Sequence, residues 1–113
     1  MATDCLFCRI VSGDIPATIV AKTDKAIAFR DINPQAPTHV LVIPKEHIQS
    51  LAHSEDASML GDLMAFAAEV ARIESISEGG YRVVANIGKD GGQTVDHLHL
   101  HVLGGRAMHW PPG

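Results

Sequence analysis

His97, His99 and His101 alternate with Leu98, Leu100 and Val102. In extended backbone, alternate side chains share a face. Three imidazoles would therefore line one surface, and the three apolar residues would pack against a core. Neighbouring histidines on that face are rooted roughly 6–7 Å apart at their Cα atoms. One small anion or one metal could then touch two of them. Just upstream runs Asn86-Ile87-Gly88-Lys89-Asp90-Gly91-Gly92-Gln93-Thr94. Exposed backbone N–H groups in such a loop can cradle an oxyanion, and Gln93 and Thr94 add side-chain donors. A glycine loop running into a row of imidazoles reads as a phosphate site. Three chemistries compete for the row. Neutral imidazoles on one face are good zinc ligands. An imidazole is also a good nucleophile toward phosphorus near neutral pH, and the phosphoramidate it forms is labile to water. A purely structural ladder is the third. A phosphate needs the glycine loop and a three-histidine metal centre does not, so the context favours phosphorus.

Other residues join this set. Asp31 directly follows a predicted strand, where a carboxylate could accept both hydroxyls of a ribose; an ordinary loop-capping role competes. His39 enters the next strand beside the same site, and polar groups gathered in one core need partners. Cys5 and Cys8 stand at C-x-x-C spacing. In a reducing compartment that spacing reads as half a metal site or a redox pair, and not as a structural disulfide.

The elements that must position these groups are short. Cys5 to Val11 reads as a helix stopped by Gly13 and Pro16. Thr18–Ala21 and Ala26–Arg30 read as strands, and Thr38–Ile43 as a buried strand ended by Pro44. The prolines at 34 and 37 fix the loop between the last two. Ser54 is the expected N-cap of a long helix over 55–75, with Glu55 and Asp56 in its first turn. Leu60, Leu63, Met64, Ala67 and Ala71 make one apolar stripe on it; Met59, Phe66, Val70 and Ile73 make a second. One sheet covers one stripe, so a second copy of the chain is the simplest cover for the other. Tyr81–Ala85 is a further strand, ahead of the glycine loop and the histidine strand. The tail holds Trp110, which is expected to dock on this subunit or on a partner. The sum is a single α+β domain over 1–113, with a five-stranded antiparallel sheet, one long helix and one short one.

Composition sets limits. The chain has 113 residues, 46% of them apolar, and a net charge of −4. That is a globular chain without the basic surface that a nucleic-acid polymer requires. No apolar run approaches a membrane span and no signal peptide is evident, so a soluble, cytoplasmic protein is expected.

His97-Leu98-His99-Leu100-His101-Val102-Leu103 resembles the signature of the histidine triad superfamily. Asp31-Ile32, Asn33 to His39, Val42 to Lys45, Gly91-Gly92-Gln93 and the ending Met108 to Gly113 are similar to its nucleotide-binding (Hint) branch. The resemblance implies a homodimer with a joined ten-stranded sheet and the long helix at the interface. It implies a purine nucleoside phosphoramidase that hydrolyses the P–N bond of adenosine or guanosine phosphoramidates and needs no cofactor for catalysis. By the resemblance, His99 is the nucleophile, His101 and the backbone around Gly92, Gln93 and Thr94 hold the phosphate, and His39 and His97 orient the site. Asp31 binds the ribose. Leu6, Phe7, Ile10, Phe29 and Ile32 enclose the base, Asn86 helps to hold the nucleotide, and Trp110 reaches toward the partner's site. By the same resemblance, Cys5, Cys8, His47 and His97 match the zinc ligands of bacterial members, a chemically good set. Thr94 keeps the hydroxyl of the serine common at that position. Asp96 replaces an aromatic residue, and its charge beside His97 could raise a histidine pKa. Two other activities lie near: a dinucleoside polyphosphate hydrolase, which would lack the Trp-Pro-Pro-Gly tail, and a nucleotide-binding or scaffold protein with little turnover.

Overall fold

A computed structural model describes residues 4–113, so the first three residues of the expected domain lie outside it. The elements are α1 (Leu6–Ser12), β1 (Ile19–Lys22), β2 (Ala26–Arg30), β3 (Thr38–Pro44), a 3-10 turn at Leu51–His53, α2 (Ala57–Ile73), β4 (Tyr81–Val84) and β5 (Leu100–Gly104). They form one α+β domain in which five antiparallel strands run in the order β1-β2-β3-β5-β4.

The period of two along the central strands decides what each face of the sheet does. Ala26, Ala28, Val40, Val42, Leu100 and Val102 pack with Leu63, Phe66, Ala67, Val70 and Ala71 of α2. The residues between them point the other way. Ile27, Phe29, Leu41 and Ile43 pack with Phe7 of α1. Burial of a large apolar side chain contributes roughly 1.5–3 kcal/mol, so Leu63, Phe66 and Val70 are enough to hold α2 against the sheet. The imidazoles belong to the opposite, α1-covered face.

Four expectations are corrected here. The strand begins at Leu100, so His97 and His99 stand in the segment ahead of it. That segment is held instead by the Leu98 N–H, which donates to the Ile48 carbonyl at 2.6 Å. The long helix starts two residues later than expected. Asp56, not Ser54, is the N-cap, because its carboxylate accepts the Met59 N–H at 3.0 Å. One sheet covers most of both helix stripes: Phe66 and Val70 are buried within this chain, and the large apolar residues of α2 left exposed are Met64 and Ile73. Trp110 does not dock on its own chain and is 83% exposed. Its tail is tethered one residue earlier, where the Arg82 guanidinium donates to the His109 carbonyl.

Candidate active site and thiol–imidazole cluster

Register brings His39 and His101 together. Leu41 of β3 pairs with His101 of β5, and His39 pairs with Leu103. The two histidines are therefore diagonal neighbours on one face, with Nε2 of His39 at 2.9 Å from Nδ1 of His101. The direction of that hydrogen bond follows from a group that can only donate. The backbone N–H of Gln35 donates to His39 Nδ1 at 3.0 Å. Nδ1 must then carry a lone pair, Nε2 the hydrogen, and His101 must accept at Nδ1. The remaining hydrogen of His101 sits on Nε2. That nitrogen is the one sealed side-chain polar atom among the described residues with no partner. A sealed donor without an acceptor is costly, and an oxyanion would satisfy it. Burial lowers both groups, so they are neutral near pH 7: His101 to about 4, with His99 and His39 adding to the shift, and His39 against an opposing pull from Asp31.

His99 is set by an acceptor. Its Nδ1 lies 2.7 Å from the His97 carbonyl, so Nδ1 carries the hydrogen and Nε2 the lone pair. Nε2 has no partner among the described residues and, unlike His101 Nε2, is not sealed from solvent. Phe7 packs edge-on against the ring at 5.2 Å and His101 lies at 5.1 Å, so both sides of the imidazole are constrained.

His97 is fully buried and points away from this pair. Its Nε2–H donates to the Pro44 carbonyl at 2.8 Å. That leaves the Nδ1 lone pair facing the Cys5 and Cys8 sulfurs at 3.3 and 3.5 Å. His47 Nδ1 stands 3.3 Å from Cys8 Sγ. All four donor atoms lie within 4.8 Å of one another. Ligands bound 2.0–2.3 Å from a tetrahedral zinc stand roughly 3.3–3.8 Å apart, so the residues fit that ion. The second-sphere partner is present as well, since Pro44 fixes the tautomer that leaves Nδ1 to ligate. Burial and the adjacent Cys5 sulfur push the Cys8 thiol up to about 11. The convergence of two thiols and two imidazoles is what fits the metal half of the sequence reading. Asp31, His39 and His101 also converge, but Gln35 keeps a hydrogen on His39 Nε2 and so denies that cluster a neutral imidazole ligand.

The glycine loop differs from expectation. Gln93 spends its whole side chain on the loop: Oε1 accepts the Gly88 N–H, and Nε2 donates to the Gln49 and Val95 carbonyls. The N–H groups of Gly92 and Gln93 are committed to Lys89 and Gly88. Gln93 thus braces the loop and offers no donor to an anion, and the Gly92 amide offers none either. Exposed Thr94 is the remaining candidate from that pair of donors. Gly91 has a steric reason, since a Cβ there would run into the Ile87 carbonyl.

Asp31 takes the loop-capping reading and also faces His39. Oδ1 accepts the Asn33 N–H at 2.8 Å and caps the loop, while Oδ2 lies 3.5 Å from His39 Nε2. Of the expected base-enclosing residues, Phe7 and Phe29 are buried together and Ile10 packs beside them, whereas Leu6 is largely exposed and Ile32 fully so. Asn86 stands half-buried just past β4. Asp96 is exposed and is not among the causes of the His97 shift, which burial lowers. The partners missed in the sequence are backbone groups, the Gln35 N–H and the Pro44 and His97 carbonyls, which carry no residue-type signal. A cavity of about 670 Å³ opens elsewhere, between the ends of β2 and β3 and the N-terminal half of α2, and contains none of the histidines.

Known proteins share this fold. The profile of the HIT domain matches residues 12–108. A HIT family hydrolase from Legionella pneumophila superposes with a TM-score of 0.93 at 51% identity, covering 96% of this chain and 99% of that one. A histidine triad nucleotide-binding protein from Candida albicans does so with 0.82 at 34%, covering 95% and 82%. The 14 kDa zinc-binding protein of Zea mays is 50% identical over 96% of this chain and 87% of its own length. With the histidine cluster, the matched profile and these likenesses in agreement, the chain belongs to the HIT family.

Proposed function

We propose that the protein is a purine nucleoside phosphoramidase. The observation that carries this reading is the pairing of an unpartnered imidazole lone pair, His99 Nε2, with an unpartnered sealed donor, His101 Nε2–H. His99 Nε2 attacks the phosphorus of an adenosine or guanosine phosphoramidate. The P–N bond breaks, the amine departs with a proton, and water then cleaves the nucleotidyl-histidine. His101 and Thr94 hold the charge that spreads over the phosphate oxygens, as fixed donors aimed at developing charge do. Asp31 Oδ2 takes the ribose, and Phe7, Phe29 and Ile10 form the wall for the base, with Leu6, Ile32 and Asn86 at its rim. His97 and His39 position their neighbours. Cys5, Cys8, His47 and His97 hold a structural zinc, which pins α1 to the histidine segment; a zinc-binding relative at 50% identity supports this.

The active unit is a homodimer with one ten-stranded sheet. In support, β4 is an edge strand, Met64 and Ile73 are exposed on α2, and Trp110 is tethered near β4 without cover. Unpaired edges and exposed apolar residues of this kind are commonly closed by a second copy.

Hydrolysis of adenosine 5′-phosphoramidate tests the function. The native chain turns it over, and His99→Ala is slower by at least about a thousandfold. Equal rates overturn the proposal. Faster cleavage of a dinucleoside polyphosphate by the native chain moves the reading to anhydride hydrolysis. Light scattering on the purified chain gives a dimer mass; a monomer at micromolar concentration removes the joined sheet.

A further inference from the structure

The hydrogen on His101 Nε2 depends on a residue far from it in sequence. The hydrogen bond that sets the polarity of the His39–His101 pair at its far end is the one from the Gln35 N–H. Gln35 lies in an exposed loop, and a loop amide orients an imidazole only if the loop is held. Part of the holding is local. Asp31 accepts the Asn33 N–H, and the Gln35 side chain donates to the Asn33 carbonyl at 3.0 Å. The rest comes from the turn that follows the histidine strand. Arg106 Nε donates to the Gln35 carbonyl at 3.0 Å, while its Nη1 donates to the Ala107 carbonyl at 3.0 Å. One planar guanidinium thereby ties its own turn to the peptide beside the orienting amide. The turn is wedged against the same loop: Gly105 has φ +89°, and a Cβ there would come within 2.9 Å of Pro37 Cβ.

We propose that Arg106 is a positioning residue that keeps the Gln35 amide on His39 and thereby keeps the hydrogen of His101 on Nε2, facing the anion site. The physical consequence of losing it is a reversal. Without the Gln35 donor, His39 can carry its hydrogen on Nδ1. Its Nε2 then accepts, His101 must donate from Nδ1, and His101 Nε2 presents a lone pair to the anion instead of a hydrogen. Asp31 Oδ2 at 3.5 Å still favours the native arrangement, so the reversal is partial. Arginine suits this position because its Nε–H and Nη–H point in one fixed plane; lysine has a single rotating head. The catalytic consequence rests on the phosphoramidase reading, whereas the tautomer does not.

Long-range proton–nitrogen NMR of the histidine rings at pH 7.5 tests it in the full-length chain. The native protein has hydrogen on Nε2 of both His39 and His101. Arg106→Ala gives a mixture at both rings, and Arg106→Lys shifts the same way by less, serving as the test if the alanine variant does not fold. Native tautomers in the folded variants overturn the proposal whatever the enzyme assay reads. A tautomer mixture in a protein that never cleaves phosphoramidates leaves the positioning role intact and removes the function instead. With turnover present, kcat for Arg106→Ala falls by about tenfold, a fraction of the loss from removing an oxyanion donor outright, while KM moves little. A fall confined to KM contradicts the proposal.

Discussion

The two ends of the histidine run teach by contrast. At one end His97 gives its hydrogen to the Pro44 carbonyl and turns a lone pair toward two thiols. At the other, His101 receives a hydrogen bond from His39 and keeps a sealed donor with no partner among the described residues. The residue type is the same and the spacing is regular, yet one imidazole turns a lone pair to a cluster that fits a metal and the other keeps a donor without a partner. The choice is made at the nitrogen not used for function. A backbone carbonyl behind His97 and a backbone amide acting through His39 set the same Nε2–H tautomer but occupy opposite nitrogens, leaving the Nδ1 lone pair of His97 and the Nε2–H of His101. His99 lies between them and takes its orientation from the metal end, through the His97 carbonyl, and its neighbouring donor from the anion end.

Perturbing each end separately breaks or sharpens that contrast. His101→Ala deletes the donor, and kcat for phosphoramidate hydrolysis is expected to fall by roughly 10²–10³; metal content stays at that of the native chain, as elemental analysis will report. Cys8→Ser acts at the other end. It abolishes stoichiometric zinc and lowers Tm by roughly 5–10 °C, while the Nε2–H tautomer of His101 persists in NMR. Acid acts on both ends in the same direction, since burial lowers His97 as well as His101. His101 titrates near 4 in the fold because burial and its neighbouring histidines hold it down, against about 6.5 when unfolded. The unfolded chain thus binds more protons in that window. The contribution to stability is complete above about 6.5 and is lost as pH falls through about 4. Melting curves should decline over that range, and less steeply in His101→Gln. The smallest effect lies outside both ends. Arg30 and Glu74 form an exposed two-point ion pair at 2.6 and 3.0 Å; Glu74→Gln costs below about 1 kcal/mol in urea denaturation and leaves turnover unchanged.

Much of the fold was legible because alternation is a sequence property. Ala26–Arg30 and Thr38–Pro44 show which residues face α2 and which face α1, and the histidine row inherits its face from Leu98, Leu100 and Val102. Gly13 in the left-handed region ends α1 as expected. Boundaries were less legible. Ser54 and Asp56 are both good caps, and only the Asp56 carboxylate reaches a free helix amide at Met59; Ser54 instead accepts from Asp56. The cover on α2 is not legible in its stripes, because sheet width is set by strand pairing, and five strands bury Phe66 and Val70 along with much of the first stripe. In the site, the side chains that converge could be named from their types. Their protonation could not, because carbonyls and amides set it. Gln93 illustrates the same limit: its amide suits an anion by type, and the loop's own backbone consumes it.

The most direct measurement is a base-quenched peptide map of the enzyme caught during turnover of an adenosine phosphoramidate, read by mass spectrometry. The account predicts one adenylylated histidine, at position 99. An adduct on His39, His97 or His101, or steady turnover with no adduct in the native chain and undiminished rate in His99→Ala, would contradict it.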